Sequence, residues 1–517
     1  MTCWAQPGTT WPGFSSQRKF CSSNQKSRSL NNSFIAIDNR FGLGSVINGQ
    51  TVTTLPRLVS EFKFKKGFII KKLFNGSWMV FVSQIGEISA SVPAFADIHE
   101  SSDSSLPYAD RFTLYVSTFK PFQLKTDPVL FLRSPGRYLY DTTNWPIEIL
   151  ADSALWPNNP DLLPKSIVDG YEGIVQTSGF LVPGKTKGQL QLYNMNAAIP
   201  ADTEINIASS DVKDYSYHRV IWKDMDGDGD LDAVTARFHN SKINSWLKEI
   251  KKTVKTINFV TAVEEQNFLW LENPGQAVPG WTQHVIYNQG PDVHFRNILL
   301  NSSGLPFDCF IAGELWNKRA TLYCIPLGAS NGWNNPENIQ MRIIDDTVGQ
   351  TFDLLLEDFD NDGRIDFLLT SFDDSFGVKS GSVYIYEIPD DIFTGPWVRH
   401  IIADNFIPDG TNTMSPGTPQ SFYPSADYAN EILPDGRNHR KWILVSGDDD
   451  GKIYILRPKT EAANDFSPYE KTVLIDTNAQ TAGKPAIGDL DGDGYTDFVA
   501  PGYSADKLYV FTYAPLL

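Results

Sequence analysis

At 517 residues, 41% of them hydrophobic and 20% charged, the chain can bury a large core. An aromatic content of 13%, with 38 Gly and 32 Pro, favours many short strands and turns over long helices. A net charge of −17 repels phosphate backbones and argues against nucleic acid as a partner, and no run of about 18 apolar residues offers a membrane-spanning segment.

From the N-terminus, residues 1–37 contain no acid and are rich in Ser with Arg and Lys, a composition shared by transit peptides and by solvated tails. Lys71 to Ala94 has the basic flank and small residues of a secretory leader. Its apolar stretch, WMVFV, is short, and Asn75, Gln84 and Glu87 lie nearby. Residues 1–106 therefore read as an N-terminal extension, a targeting segment or disordered. Asn31, Asn75 and Asn301 open N-x-S sequons, which suit a secreted or extracellular protein; organelle targeting by the N-terminus stays open.

From residue 107 onward the chain repeats itself. Residues 110–136 read as one shortened unit. Later units each close on a short apolar strand: LQLYNM, FLWLENPG, TLYCIPLG, VYIYEIPD, KIYILRP and KLYVFTY. WTQHVI at Trp281 and WVRHII at Trp397 share a second pattern, whose His284 and His400 read as scaffold. Seven units of about four strands predict an all-β, seven-bladed propeller over 107–517. An insertion at 240–266 interrupts it. Within 241–257, Ile243, Trp246, Leu247, Ile250, Val254 and Ile257 recur at helical spacing, with Lys248, Lys251, Lys252 and Lys255 on other faces. This basic helix is a candidate surface or partner contact, or packs on its own blade.

Of four cysteines, none has metal-type pair spacing. Cys309 and Cys324 flank a hairpin turning near Asn317 and lie almost opposite each other, as a disulfide or as two buried thiols. Gly328-Ala-Ser330-Asn-Gly332 matches a nucleophile-elbow pattern, but Trp-Asn-Asn-Pro follows it where a helix is required.

The most specific signal is a loop of the form D-x-D-x-D-G-x-x-D. It occurs from Asp224, Asp358 and Asp489, with starts 134 and 131 residues apart. Alternate carboxylates on a tightly curved backbone converge, and such hard oxygen donors suit calcium. The ligand candidates are Asp224, Asp226, Asp228 and Asp232; Asp358, Asp360, Asp362 and Asp366; and Asp489, Asp491, Asp493 and Asp497. Asp230, Arg364 and Tyr495 would add backbone carbonyls. About three structural Ca2+ ions would offset part of the acidity. An EF-hand needs Glu at position 12, where Thr235, Leu369 and Ala500 stand instead.

These loops and their strand context resemble the FG-GAP/VCBS repeats of integrin α-chain propellers. The resemblance implies that each loop joins the first and second strands of a blade and binds calcium on the lower face. The family's FG and GAP dipeptides survive only as Ala500-Pro501-Gly502. The loop is reduced to its last Asp at Asn301–Asp308 and replaced by PDGRNHR before Trp442. Integrin-type ligand binding does not carry over.

With the Asp loops below, the first-strand entries and second-strand exits meet above, at the channel mouth. Entries supply Tyr217, His218 and Arg219; Asp292, His294 and Arg296; Gln350 and Asp353; and Tyr423. Exits supply Arg237 and His239; Glu314 and Trp316; and Asp373 and Asp374. The leading reading is a binding or adhesion module for a glycan or a protein, through Tyr217, Arg219, Arg237, Arg296, Trp316 and Tyr423. Its rival is a sugar-modifying lyase: some propellers of this repeat type resemble the dehydratase part of a fungal aldos-2-ulose dehydratase. His218 or His294 would then move the proton, with Glu314 as partner. A third reading makes these residues ion pairs between blades.

Overall fold

A computed structural model describes residues 71–72, 78–79 and 82–515, apart from 121–124, 181, 183, 209–213, 240–262, 374–379, 410–413 and 479–480. The helix expected over 241–257 therefore lies outside the described residues. No helix among the described residues is long and apolar enough to cross a membrane.

Seven four-stranded antiparallel sheets form the blades of a β-propeller. Blade 1 comprises Pro93–Glu100, Phe112–Thr118, Val129–Arg133 and Glu148–Ala151. Blade 2 comprises Pro157–Leu163, Gly173–Ser178, Leu190–Asn194 and Ile205–Asn206. Blade 3 comprises Ser216–Lys223, Asp232–His239, Glu265–Glu272 and Thr282–Asn288. Blade 4 comprises His294–Ser302, Leu305–Glu314, Arg319–Pro326 and Gln340–Asp345. Blade 5 comprises Gln350–Glu357, Asp366–Asp373, Ser380–Glu387 and Val398–Phe406. Blade 6 comprises Pro419–Phe422, Trp442–Ser446, Lys452–Arg457 and Glu470–Asp476. Blade 7 comprises Ala486–Gly488, Asp497–Gly502 and Lys507–Thr512, and takes its outer strand, Ser83–Ser89, from the N-terminal side. That strand pairs antiparallel from Ser83↔Thr512 to Ser89↔Lys507 and closes the ring.

Second and third strands are buried on both faces, which explains their near-continuous apolar runs. Asp232–His239 and Asp366–Asp373 are each buried except at the last residue. Fourth strands face solvent on one side and carry more polar residues. Seven apolar clusters result, one between each pair of neighbouring blades, including one between blades 7 and 1. An eighth, around Phe238, Leu315 and Trp316, sits at the upper mouth.

Three boundaries differ from the sequence reading. The propeller begins ahead of residue 107, because Ser83–Ser89 and Pro93–Glu100 are blade strands. Residues 83–94, the end of the second leader candidate, are likewise built into blades 7 and 1. Blade 1 is a full blade, not a shortened one. The apolar strands read as closing each unit are third strands, and the W-x-x-H segments of blades 3 and 5 are the fourth strands that follow. There His284 Nε2 lies 2.8 Å from Glu272 Oε2 and stacks on Trp270. His400 Nε2 lies 2.6 Å from Glu387 Oε1 and stacks on Phe466. Both are fixed in the blade as scaffold.

The hairpin of blade 4 is in the expected register: Cys309 pairs with Cys324, and a disulfide joins them. The one α-helix among the described residues, Ala426–Asn430, follows the first strand of blade 6.

Candidate functional site

The three Asp loops join first to second strands in blades 3, 5 and 7 and share one hydrogen-bond plan. The first Asp accepts from the Gly N–H at position 6: Asp224 from Gly229 (3.2 Å), Asp358 from Gly363 (2.9 Å) and Asp489 from Gly494 (3.0 Å). These glycines have φ of 98°, 89° and 85°, a left-handed backbone that only glycine adopts cheaply. The ninth-position Asp is buried and turns back to the N–H at position 2. Asp232 accepts from Met225 (3.0 Å), Asp366 from Phe359 (2.9 Å) and Asp497 from Leu490 (2.9 Å). The N–H groups of Asp230, Arg364 and Tyr495 donate to Asp228, Asp362 and Asp493.

Carboxylate oxygens converge to within 4.8 Å of one another in three sets: Asp224, Asp226 and Asp232; Asp358, Asp360 and Asp366; and Asp489, Asp491 and Asp493. In blade 5, Arg364 Nε also donates to Asp362 Oδ2 at 3.1 Å. Burial, together with neighbouring carboxylates, raises Asp232 to about 6 and Asp366 and Asp497 to about 8. All-oxygen donor sets whose charges oppose one another are chemically suited to a hard divalent cation.

At the other face, a backbone irregularity builds the channel. In blades 2, 3 and 5 the first strand carries one extra residue against the second, between Pro157 and Pro160, Tyr217 and Val220, and Thr351 and Leu354. Such bulges re-aim side chains. The bulged pairs are Asn158–Asn159, His218–Arg219 and Phe352–Asp353. A buried threonine on each second strand holds the bulge: Thr177 donates to the Asn159 carbonyl (3.2 Å), Thr235 to that of Arg219 (2.7 Å) and Thr370 to that of Asp353 (3.1 Å). Blade 4 has no bulge, and His294 and Arg296, two apart, share one side of a regular strand.

The throat so formed is a charged network. Asp353 Oδ1 lies 3.2 Å from His294 Nδ1 and accepts from Arg296 Nη2 at 3.1 Å. Burial would raise Asp353, but His294, Arg296 and Arg219 outweigh it and hold the carboxyl well below the usual range. Burial pushes His294 down to about 4 and His218 well below its usual value, so both are neutral at physiological pH. Their rings are 5.0 Å apart. Lys484 Nζ bonds Asp97 (2.5 Å) and Asn159 (2.8 Å) on the far side.

Above the throat runs an arc of partly exposed rings. Tyr503 of blade 7 lies 5.1 Å from Phe119 of blade 1, which stacks on Trp156 at 3.9 Å; Trp156 stacks on Phe180 at 5.6 Å, and Phe180 lies 6.3 Å from Trp316 of blade 4. Trp156 has φ of 56°, a strained conformation for so bulky a residue, here held by tertiary packing. Asp292 holds the turn bearing Trp316, accepting from the N–H groups of Leu315 (2.8 Å) and Trp316 (2.7 Å).

Four expected mouth residues are placed elsewhere. Tyr217 precedes the bulge and is buried between blades 2 and 3. Arg237 stacks on Tyr215, with its guanidinium carbon 3.9 Å from the ring centroid, and bonds Asn267 and Gln283 within its own blade. Glu314 is buried against Arg319, Tyr323 and Asn317, bonded at 2.6, 2.6 and 2.7 Å, so it does not partner either histidine; Asp353 does. Tyr423 follows the end of its strand, not the start, and its carbonyl accepts from Thr496 beside the blade 7 Asp loop. His218, Arg219, His294, Arg296 and Trp316 do reach the throat or mouth. Asp374 lies outside the described residues. Phe119, Trp156, Phe180 and Tyr503 were missed; the recurring threonine opposite each bulged pair was the signal that could have located the throat.

No family model matches this chain, and no curated protein matches it by sequence. Among solved structures it is similar to the Dos1 propeller, at 9% identity and a TM-score of 0.39, covering 86% of this chain and 81% of that one. It is also similar to Drosophila Plexin A, solved with Semaphorin 1b, at 7% identity and a TM-score of 0.35, covering 84% and 87%. A third similar structure is NanB, solved with Optactamide, at 10% identity and a TM-score of 0.30, covering 82% and 68%. The likeness is one of fold alone.

Proposed function

We propose that this chain is a calcium-stapled propeller of the FG-GAP/VCBS type whose upper mouth binds a carbohydrate. The observation that carries this reading is the arc of partly exposed rings from Tyr503 to Trp316. Flat apolar rings beside a polar floor match a sugar, which presents apolar C–H faces and hydroxyl edges. The convergent carboxylates of the lower loops support calcium, and the Cys309–Cys324 disulfide suits an oxidising, extracellular setting.

A glycan array followed by titration of the best ligand tests the reading. Trp316→Ala and Trp156→Ala should each weaken binding by about tenfold or more. Undiminished binding, or none to any glycan by the native protein, removes it. A second reading, a lyase acting on a sugar ketone, is favoured by the neutral His294 set against Asp353. It requires turnover of a keto-sugar that is lost in His218→Ala or His294→Ala.

A further inference from the structure

The throat contains a cation without a hydrogen bond. Arg219 is 8% exposed, yet its guanidinium donates to no group in the described structure. Its nearest carboxylates stand off, Asp161 Oδ1 at 3.9 Å from Nε and Asp353 Oδ1 at 4.0 Å from Nη1. Each is engaged elsewhere: Asp161 accepts from Asn159 (2.5 Å) and the Val220 N–H (2.8 Å), and Asp353 Oδ1 from Arg296. A guanidinium carries five donors, and leaving them unpaired in a buried site costs free energy unless a ligand or water takes them. Around it, Asp353 Oδ2, His294 Nε2 and His218 Nδ1 are also buried without partners. Such a group of unsatisfied atoms, gathered on neighbouring side chains, is unusual for a folded interior.

A small cavity lies between Phe119 and Tyr503 of the arc and the phenylalanines beside the throat histidines. Phe95 and Phe352, whose rings lie 5.6 Å from His218 and His294 respectively, line it with Asp448, Lys484 and Tyr503. The cavity, about 40 Å³, admits one small group and not a sugar ring. A ring would rest on the aromatic arc while a substituent reached down.

The geometry points to an acidic sugar as the ligand: its carboxylate is seated by Arg219, and neighbouring hydroxyls donate to Asp353 Oδ2 and His294 Nε2. This rests on the carbohydrate reading and names its class. Arginine pairs bidentately with a carboxylate, which a neutral sugar does not offer. Hydroxyls can donate to Asp353 Oδ2 and to His294 Nε2, which is the bare acceptor of the neutral ring when Nδ1–H faces Asp353 Oδ1.

The test is calorimetric titration of the full chain with short glucuronate and galacturonate oligosaccharides and with their neutral glucose and galactose counterparts. The native protein should prefer the uronides by about tenfold or more, and added salt should narrow that preference. Arg219→Gln should erase it; Arg219→Lys, which keeps the charge facing Asp161 and Asp353, should reduce it. The native comparison needs no folded variant. Neutral sugars binding as tightly as uronides, or sulfated sugars binding more tightly than both, overturns the carboxylate seat and leaves the carbohydrate reading standing. Binding of neither class overturns both.

Discussion

The lower and upper faces of this propeller repeat in opposite ways. Below, three loops in blades 3, 5 and 7 repeat both backbone and side chains, down to the buried ninth-position Asp returning to the same N–H. Above, the first strands of blades 1, 2, 3 and 5 are bulged, and those of blades 2, 3 and 5 share a threonine clasp, but the side chains they aim differ: Asn158–Asn159, His218–Arg219 and Phe352–Asp353. Repetition of side chains marks scaffold, since each loop solves the same local problem. A repeated backbone with unlike side chains marks a site, because one asymmetric ligand needs different groups from different blades.

Both faces hang from one closed ring, so the largest effect should come from opening it. Removing residues 1–89 deletes the outer strand of blade 7. Cooperative unfolding and ligand binding should then be lost together; a truncated chain that melts cooperatively at the native temperature would show that closure lies elsewhere. Next in size is Asp366→Ala, which strips a converging carboxylate and the acceptor of the Phe359 N–H. It should cost about 2–4 kcal/mol in denaturant unfolding and leave glycan affinity unchanged. A loss of affinity in the folded variant would merge two faces that are held here to be separate.

The narrowest effect, confined to one pH interval, is expected at Asp292. Burial, with Glu314 beside it, raises this carboxyl from 3.8 to about 7. A folded pKa above the unfolded value means that its contribution is complete below about 4 and is lost as pH rises through about 7. Native stability should therefore fall across that interval relative to Asp292→Asn, measured by denaturant unfolding at each pH. Parallel profiles for the two proteins would contradict it.

The faces also differ in how far the sequence reveals them. The Asp loops are contiguous, and their chemistry is local, so spacing alone named every converging carboxylate. The blade count followed from the same repetition. The closing strand was invisible because SQIGEIS has little strand character and its partner, Lys507–Thr512, lies at the other end of the chain. At the mouth, one residue decides the direction of a side chain on a strand, and a bulge shifts that alternation. Tyr217 was therefore placed in the channel although only His218 and Arg219 reach it. Glu314 was misassigned because its partners, Arg319 and Tyr323, become neighbours only once the hairpin register is known. The aromatic arc draws on blades 7, 1, 2 and 4, with no motif in any one of them.

The proposed division between a calcium-stapled lower face and a binding upper mouth is tested most directly by chelation. Melting temperature and glycan affinity would be measured on the same protein with and without a calcium chelator, the affinity well below the melting transition. Chelation should lower the melting temperature, calcium should restore it, and affinity should stay unchanged. An unaltered melting temperature, or an affinity that vanishes while the protein remains folded, would contradict it.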